Sequence, residues 1–202
     1  DSAKIIGAVN TVIIGKDRRT RGENTDGKGF VKAISDVTSI PGKKVVLFGA
    51  GGAARAISVE MALAGAASIT ILNIDDAGQE LADLLNGKTP AKADFVLWNH
   101  SYRIPADTDI VINATSVGLY PNVDQRLNMD SDTLLPHMVV ADCIPNPAYT
   151  HFVKDAIARG CHHVLPGMNM LVNQAVIAVK YWTGVDVDAE VMRNELKKVL
   201  GL

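Results

Sequence analysis

The sequence predicts an α/β fold built on a doubly wound parallel sheet, and three observations carry that expectation. Short apolar, β-branched runs alternate with helical patterns along most of the chain, which implies right-handed βαβ units and a mostly parallel sheet. One run, Lys43-Lys-Val-Val-Leu-Phe48, ends in Gly49-Ala-Gly51-Gly52-Ala-Ala54, a G-x-G-x-x-A turn that joins a strand to a helix in dinucleotide-binding units. Asp75 then follows Gly51 by 24 residues, close to where a Rossmann-type unit keeps its ribose-binding acid.

The elements follow in order. Strands are expected near 45–48, 69–72, 94–98, 109–112 and 139–143, with a short one near 162–165. The helix after the Gly turn covers about 52–64, is rich in Ala and ends at Gly65. The next, about 77–86, places Leu81, Leu84 and Leu85 at helical spacing and stops at Asn86-Gly87. Met170 to Trp182 and Ala189 to Leu200 read as two more helices, separated by Thr183-Gly184. Upstream of the Gly turn, Ile6 to Thr11 reads as a strand, the basic stretch Lys16 to Arg21 as a solvated turn, and Gly22 to Phe30 as the opening of a helix.

Composition narrows the function. The chain has 202 residues, 48% apolar and 21% charged, enough for one full domain core. A net charge of −2 without a long basic cluster argues against nucleic acid as a partner. No apolar run approaches the roughly 20 residues that span a bilayer, and no signal peptide opens the sequence, so no membrane contact and a cytoplasmic location are expected. Cys143 and Cys161 lack metal-ligand spacing and read as reduced thiols. His162 and His163 face opposite sides of a strand, and His100, His137 and His151 stand alone, so no metal site is expected.

The chemistry of the Gly turn is specific. Gly49 permits the tight turn, Gly51 lets backbone approach a pyrophosphate, and Ala54 lets the helix pack close to its strand. The helix N-terminus then offers unpaired N–H groups and a positive dipole end to the phosphates. Gly49, Ala50, Gly51, Gly52 and Ala53 are therefore expected to bind a nicotinamide dinucleotide. Asn73, Asp75 and Asp76, past the second strand, are expected at the ribose. A carboxylate there accepts bonds from ribose hydroxyls and repels a 2′-phosphate, which favours NAD, with NADP as the alternative. Either Asp also suits the N-cap of the following helix.

Four segments together point further: Ile6-Gly-Ala-Val-Asn10-Thr11, Gly22-Glu-Asn24-Thr25-Asp26-Gly27-Lys-Gly29-Phe30, the Gly turn, and Asn113-Ala-Thr115-Ser116-Val-Gly118. In this order they resemble the shikimate dehydrogenase family, including its quinate/shikimate branch, over essentially the whole chain. The resemblance implies an oxidoreductase that interconverts shikimate or quinate and the 3-dehydro form by hydride transfer. Asn10 and Asp26 would bind the substrate hydroxyls, with Asp26 catalytic beside a lysine, and Asn113, Ala114, Thr115 and Ser116 would lie against the dinucleotide. Gly167-Met-Asn169-Met170-Leu-Val-Asn-Gln174 resembles the family's late segment. That match gives Gln174 a substrate contact and puts Gly167 and Met170 at the nicotinamide. It also implies a small hydroxy acid as ligand, with a homodimer as the candidate assembly. Plainer roles stay open: a helix cap for Asp26, turn residues at Thr115 and Ser116, core packing for Met170, surface polarity for Gln174.

The resemblance implies 1–23 as the tail of an N-terminal α/β substrate domain, 24–184 as the dinucleotide domain, and 185–202 as a helix packing near the inter-domain region. It also places the catalytic lysine before the Gly-Ala-Val-Asn-Thr strand. With Asp1 first, the chain reads as N-terminally truncated, and neither Lys4 nor Lys28 matches that position. Pro145 stands where the family commonly has Tyr, Pro166 where it has Asp before Gly167, and Asn169 where it has Gly. Ile74 replaces the arginine that clamps a 2′-phosphate in NADP-dependent members, in agreement with NAD. Two other readings remain: a non-catalytic dinucleotide-binding or regulatory relative, and a dehydrogenase of another ring-hydroxy acid such as aminoshikimate.

Overall fold

The computed structural model describes residues 2–200; Asp1, Gly201 and Leu202, at the ends of the expected 1–23 and 185–202 segments, lie outside the described residues. Helix α1 (Ser2–Ile6) leads to the hairpin β1 (Thr11–Ile14) and β2 (Thr20–Glu23), whose strands run antiparallel with Thr11 opposite Glu23. The strand expected over Ile6 to Thr11 is thus displaced. Ile6 is buried at the end of α1, and Gly7 takes φ +74°, a left-handed turn that breaks the run before Thr11.

Helix α2 (Asp26–Ser35) precedes the main α/β series. That series comprises β3 (Lys44–Phe48), α3 (Gly52–Leu63), β4 (Ser68–Asn73), α4 (Ala77–Lys88), β5 (Lys92–Leu97), the short β6 (Tyr102–Arg103), β7 (Ile110–Asn113), the short β8 (Met129–Asp130), β9 (Val139–Asp142), α5 (His151–Ala158), β10 (His163–Leu165), α6 (Met168–Thr183) and α7 (Ala189–Leu200). Six strands form one parallel sheet in the order β10-β9-β7-β3-β4-β5. The Rossmann-type sheet expected from the alternating pattern is present.

Alternation along β3 divides the core. Val45 and Leu47 pack with Ile57, Ile69, Ile71 and Leu85 on one face. Val46 and Phe48 pack with Leu72, Val111, Val140 and Phe152 on the other. Successive side chains of a strand point to opposite faces, and a sheet covered by helices on both faces needs apolar residues at every position.

The helices differ from expectation at the end of α4, at the start of α6, which begins two residues early at Met168, and in the presence of α5. Helix α4 continues through Asn86 and Gly87 to Lys88. The Asn86 side chain is not a terminator: its amide donates to the Ala93 carbonyl at 2.8 Å and its oxygen accepts from Ala93 N at 2.9 Å. The helix ends at Thr89, extended because Pro90 follows. Helix α5, unassigned from the sequence, starts at an N-cap Thr150 whose hydroxyl accepts from Val153 N.

Chain direction across the sheet reverses between β3 and β7, and Phe48 pairs in register with Asn113, which in turn pairs with Asp142. The carboxyl ends of β3, β7 and β9 therefore lie side by side, at the point where open α/β sheets leave a crevice.

Candidate active site

A cleft of about 550 Å³ opens at that crevice. Its floor is the Gly turn, where Gly49 adopts φ +104° and a Cβ would stand 2.7 Å from the Ala114 carbonyl oxygen. No L side chain fits there. Around Gly51 and Gly52, by contrast, a Cβ would meet nothing within 4 Å. Gly51 is the N-cap of α3 and, lacking a side chain, caps none of its amides. An open glycine surface before uncapped helix N–H groups fits a pyrophosphate, so the residues present accommodate a dinucleotide.

Gly49, Ala50, Gly51, Gly52, Ala53, Asn73, Ala114, Thr115 and Ser116 all line this cleft, as the sequence reading expected. Ala54 is fully buried beneath the turn. Asn113, Gly167 and Met170 lie behind the wall instead of on it. Asn113 is fully buried, Met170 belongs to the core, and a Cβ on Gly167 would stand 2.3 Å from the Ile144 carbonyl oxygen.

Asp75 and Asp76 also differ from a simple ribose pair. The Asp75 carboxylate accepts from the Asn73 amide at 2.7 Å and from Ala77 N at 3.1 Å. It is the side chain that ties down the start of α4, whereas Asp76, the formal N-cap, makes no side-chain cap. Asn73 and Ile74 are the residues from this corner that border the cleft.

The sequence motifs did not mark Trp98, Val117, Leu119, Cys143 or Ile144, which complete the lining together with Pro145, noted there only as a departure from the family pattern. Their signal was position, because each follows a strand at its carboxyl end, where sheet ligands sit. Trp98 is held by the Phe48 ring, 5.0 Å between centroids, and by its indole N–H on the Asn128 carbonyl at 2.8 Å. Burial pushes the Cys143 thiol up to about 12, so it stays protonated.

The residues expected at the substrate converge from three elements. The Asn10 side-chain oxygen accepts from Thr25 N at 2.9 Å and from the Thr25 hydroxyl at 3.2 Å. That hydroxyl also stands 3.3 Å from Oε1 of Gln174 on α6. Asp26 begins α2, but the N-cap is Thr25. Burial raises the Asp26 carboxyl above its ordinary value, and a side-chain hydrogen bond from Asn10 offsets part of that rise. Asn10, Asp26 and Gln174 are thus brought together around the buried Thr25, a motif residue with no role expected from the sequence.

Lys28, two residues on, is already engaged: its ammonium donates to Glu23 Oε2 at 2.6 Å and to the Tyr181 hydroxyl at 2.9 Å. Burial lowers its proton affinity, and these two partners more than reverse that.

Beneath the cleft a buried network crosses the sheet. Asp142 Oδ1 accepts from the Asn113 amide at 3.1 Å and from Ile144 N at 2.9 Å, while Oδ2 accepts from the Thr150 hydroxyl at 2.6 Å. Asn113 Oδ1 in turn accepts from Thr115 N at 3.0 Å and from the Thr115 hydroxyl at 2.7 Å. Burial lifts the Asp142 carboxyl to about 6, against the opposing hydrogen bonds from Thr150, Ile144 and Asn113.

Among the described residues no three His, Cys, Asp or Glu side chains group as a metal site, and no helix is long and apolar enough to cross a membrane. Comparison with known proteins agrees with the geometry. The family model for the Shikimate 5'-dehydrogenase C-terminal domain matches residues 167–197. A shikimate dehydrogenase (NADP(+)) of Desulforamulus reducens is 39% identical over 202 residues, covering 98% of this chain and 69% of that protein. Among solved structures, the 5-ketofructose reductase of Gluconobacter sp. strain CHM43 superposes with a TM-score of 0.94 at 49% identity, over 98% of this chain and 71% of that one. A shikimate 5-dehydrogenase from Listeria monocytogenes, in complex with shikimate and NAD, superposes at 0.84 with 31% identity, over 98% and 70%. Its cleft, its fold and these relatives establish that the chain belongs to the shikimate dehydrogenase family of nicotinamide-dependent oxidoreductases.

Proposed function

We propose that this chain carries the dinucleotide site and part of the substrate site of an enzyme that moves a hydride between a nicotinamide and a polyhydroxylated ring alcohol or its ketone. The observation that carries the reading is the convergence of Asn10, Asp26 and Gln174 on Thr25, in a chain whose sheet crevice is floored by open glycines. When bound, the nicotinamide supplies or accepts the hydride. Asp26 and the Asn10 amide hold the reacting hydroxyl, and Gln174 binds a second one, so the carbon is presented in one orientation. The raised Asp26 carboxyl suits a group that shares a proton with that hydroxyl and with the lysine that the family resemblance places upstream.

For the substrate, the likeness to a 5-ketofructose reductase favours a keto-sugar of that type over shikimate. The departures at Pro145, Pro166 and Asn169 support it. Pro145 lines the cleft, and Gly167, between the other two, packs on Ile144. Pro145 replaces a phenol with a ring that cannot donate a hydrogen bond, while Pro166 and Asn169 border a separate gap beside Asp142. Shikimate is the second reading, supported by the relatives named shikimate dehydrogenase, with quinate as its variant from the sequence resemblance. Ile74 in the arginine's place and the free Asp76 favour NAD; the relatives named for NADP(+) make NADP the competing choice.

The test uses the full-length protein, with NADH and NADPH oxidation followed on 5-ketofructose and 3-dehydroshikimate. A higher kcat/KM on 5-ketofructose supports the keto-sugar reading; a tenfold or greater preference for 3-dehydroshikimate overturns it. Failure of both substrates with either dinucleotide, while the dinucleotide still binds, would move the non-catalytic reading ahead.

A further inference from the structure

We infer that Asp142 is a positioning residue for the dinucleotide, holding the loop after β7 and the loop after β9 in fixed relation so that both walls of the cleft are set before ligand arrives. The inference rests on the reading of this cleft as a dinucleotide site.

The geometry is a relay with one carboxylate at its centre. Through Oδ1, Asp142 fixes Ile144 N, and Ile144 and Pro145 form one wall. Through the same oxygen it holds the Asn113 amide. That contact turns the Asn113 oxygen onto Thr115, whose hydroxyl accepts from Val117 N at 3.1 Å. Ala114, Thr115, Ser116 and Val117 form the opposite wall. Through Oδ2, Asp142 takes the hydroxyl of Thr150, and so joins the N-cap of α5 to the same point. Three donors from three places in the chain, the Asn113 amide, Ile144 N and the Thr150 hydroxyl, thus depend on it.

Burying a carboxylate is unfavourable unless donors meet its oxygens, and here three do. An acceptor with no donor of its own is what the arrangement requires. Asn113 presents its N–H side to Asp142 and its oxygen to Thr115, and an acceptor at 142 holds from one end the orientation that the Thr115 N–H holds from the other. The groups facing the carboxylate are Asn113 from β7, Thr150 from α5 and Cys143 from its own strand end, and the gap beneath it is bordered by Phe30, Ile34, Leu165, Met170 and Asn169, whose Oδ1 accepts from the Arg193 guanidinium of α7. Cys143 keeps its proton up to about 12. Asp142 apart, no charged side chain lines this gap itself, Arg193 standing behind Asn169, and a proton on Asp142 removes one acceptor from the relay.

The experiment titrates NAD⁺ into the full-length protein by calorimetry, because NAD⁺ carries no 2′-phosphate to titrate in the same range. Asp142→Asn should weaken NAD⁺ binding at pH 7.5 by about tenfold, since its amide opposes donors it cannot accept. Wild-type affinity should fall about fivefold between pH 7.5 and pH 5, and the Asn variant should lose that pH dependence. Thr150→Val should weaken binding and Thr150→Ser should restore it, which keeps the inference testable if Asp142→Asn does not fold. Wild-type affinity and pH profile in Asp142→Asn, or equal binding by the Val and Ser variants at 150, would overturn it. A wild-type protein that binds neither NAD⁺ nor NADP⁺ would overturn the dinucleotide reading itself, and this inference with it.

Discussion

Gly29 and Gln174 meet with no room between them: a Cβ on Gly29 would stand 2.5 Å from the Gln174 backbone nitrogen. Helices α2 and α6 approach this closely because the first is stripped to hydrogen at the crossing. The Asn173 amide, beside Gln174, seals the junction by donating to the Gly29 carbonyl at 3.2 Å. The same contact decides where Gln174 points, since its helix cannot retreat from α2 without leaving the Thr25 hydroxyl.

Gly29→Ala should therefore act on stability and on substrate together. The added methyl meets backbone, which cannot swing aside as a side-chain tip can, so a loss of about 1–3 kcal/mol is expected from urea unfolding. Substrate KM should rise with dinucleotide KM unchanged. Equal shifts in both constants would mean that the helix crossing does not set the Gln174 side chain.

Asp26→Asn keeps the size of the residue and its place at the start of α2 but removes the acid. Turnover should fall by roughly 10²-fold or more, with NAD⁺ affinity within about twofold of wild type. The wild-type rate should also decline as pH falls through a carboxyl value above the ordinary 3.8, because burial raises this group. An unchanged turnover would remove Asp26 from the chemistry.

Asp75 and Asp76 are separable despite being adjacent. Asp75→Ala takes an acceptor from Ala77 N and should lower stability by about 1 kcal/mol, the usual loss on removing a helix cap. Asp76→Ala should leave stability within about 0.5 kcal/mol and instead shift the NAD to NADP preference toward NADP, read as the ratio of kcat/KM. If neither variant moves that ratio, the acidic corner does not select the cofactor.

Asp142 also gives stability an unusual pH dependence. Its carboxyl sits at about 6 in the folded chain against an ordinary 3.8, so the folded state holds the proton more tightly than the unfolded one. The stabilisation from that proton is complete below about pH 4 and is lost as pH rises through 6, a change on the order of 3 kcal/mol. Urea unfolding of wild type and Asp142→Asn at pH 4.5 and 7 should show the wild type losing ground to the variant as pH rises. A difference that does not vary with pH would mean that the carboxyl titrates normally.

The Gly turn, the parallel sheet and its six strands were legible from the sequence alone because each depends on local rules. Glycine at a turn, β-branched runs and helical spacing act over a few residues. The end of α4 was misread for the opposite reason: Asn86 resembles a stop signal locally but is bonded to β5, which only the folded chain brings near. The strand expected at Ile6 failed likewise, since Gly7 commits the backbone to a turn and Ile6 to the core.

The candidate site divides in the same way. Family motifs and the G-x-G-x-x-A spacing identified the residues that border the dinucleotide cleft and those that meet at Thr25. What they could not convey was the division between wall and support. Asn113 and Met170 lie behind the surface, Asp75 is bonded to the start of α4, and Ile144 and Trp98 stand in the lining. Asp142 had no sequence signature, because its role arises from donors at positions 113, 144 and 150. A chain's local pattern determines which elements form. The burial of a carboxylate among donors distant in sequence, and with it the charge that carboxylate carries near pH 6, is decided only when those elements pack.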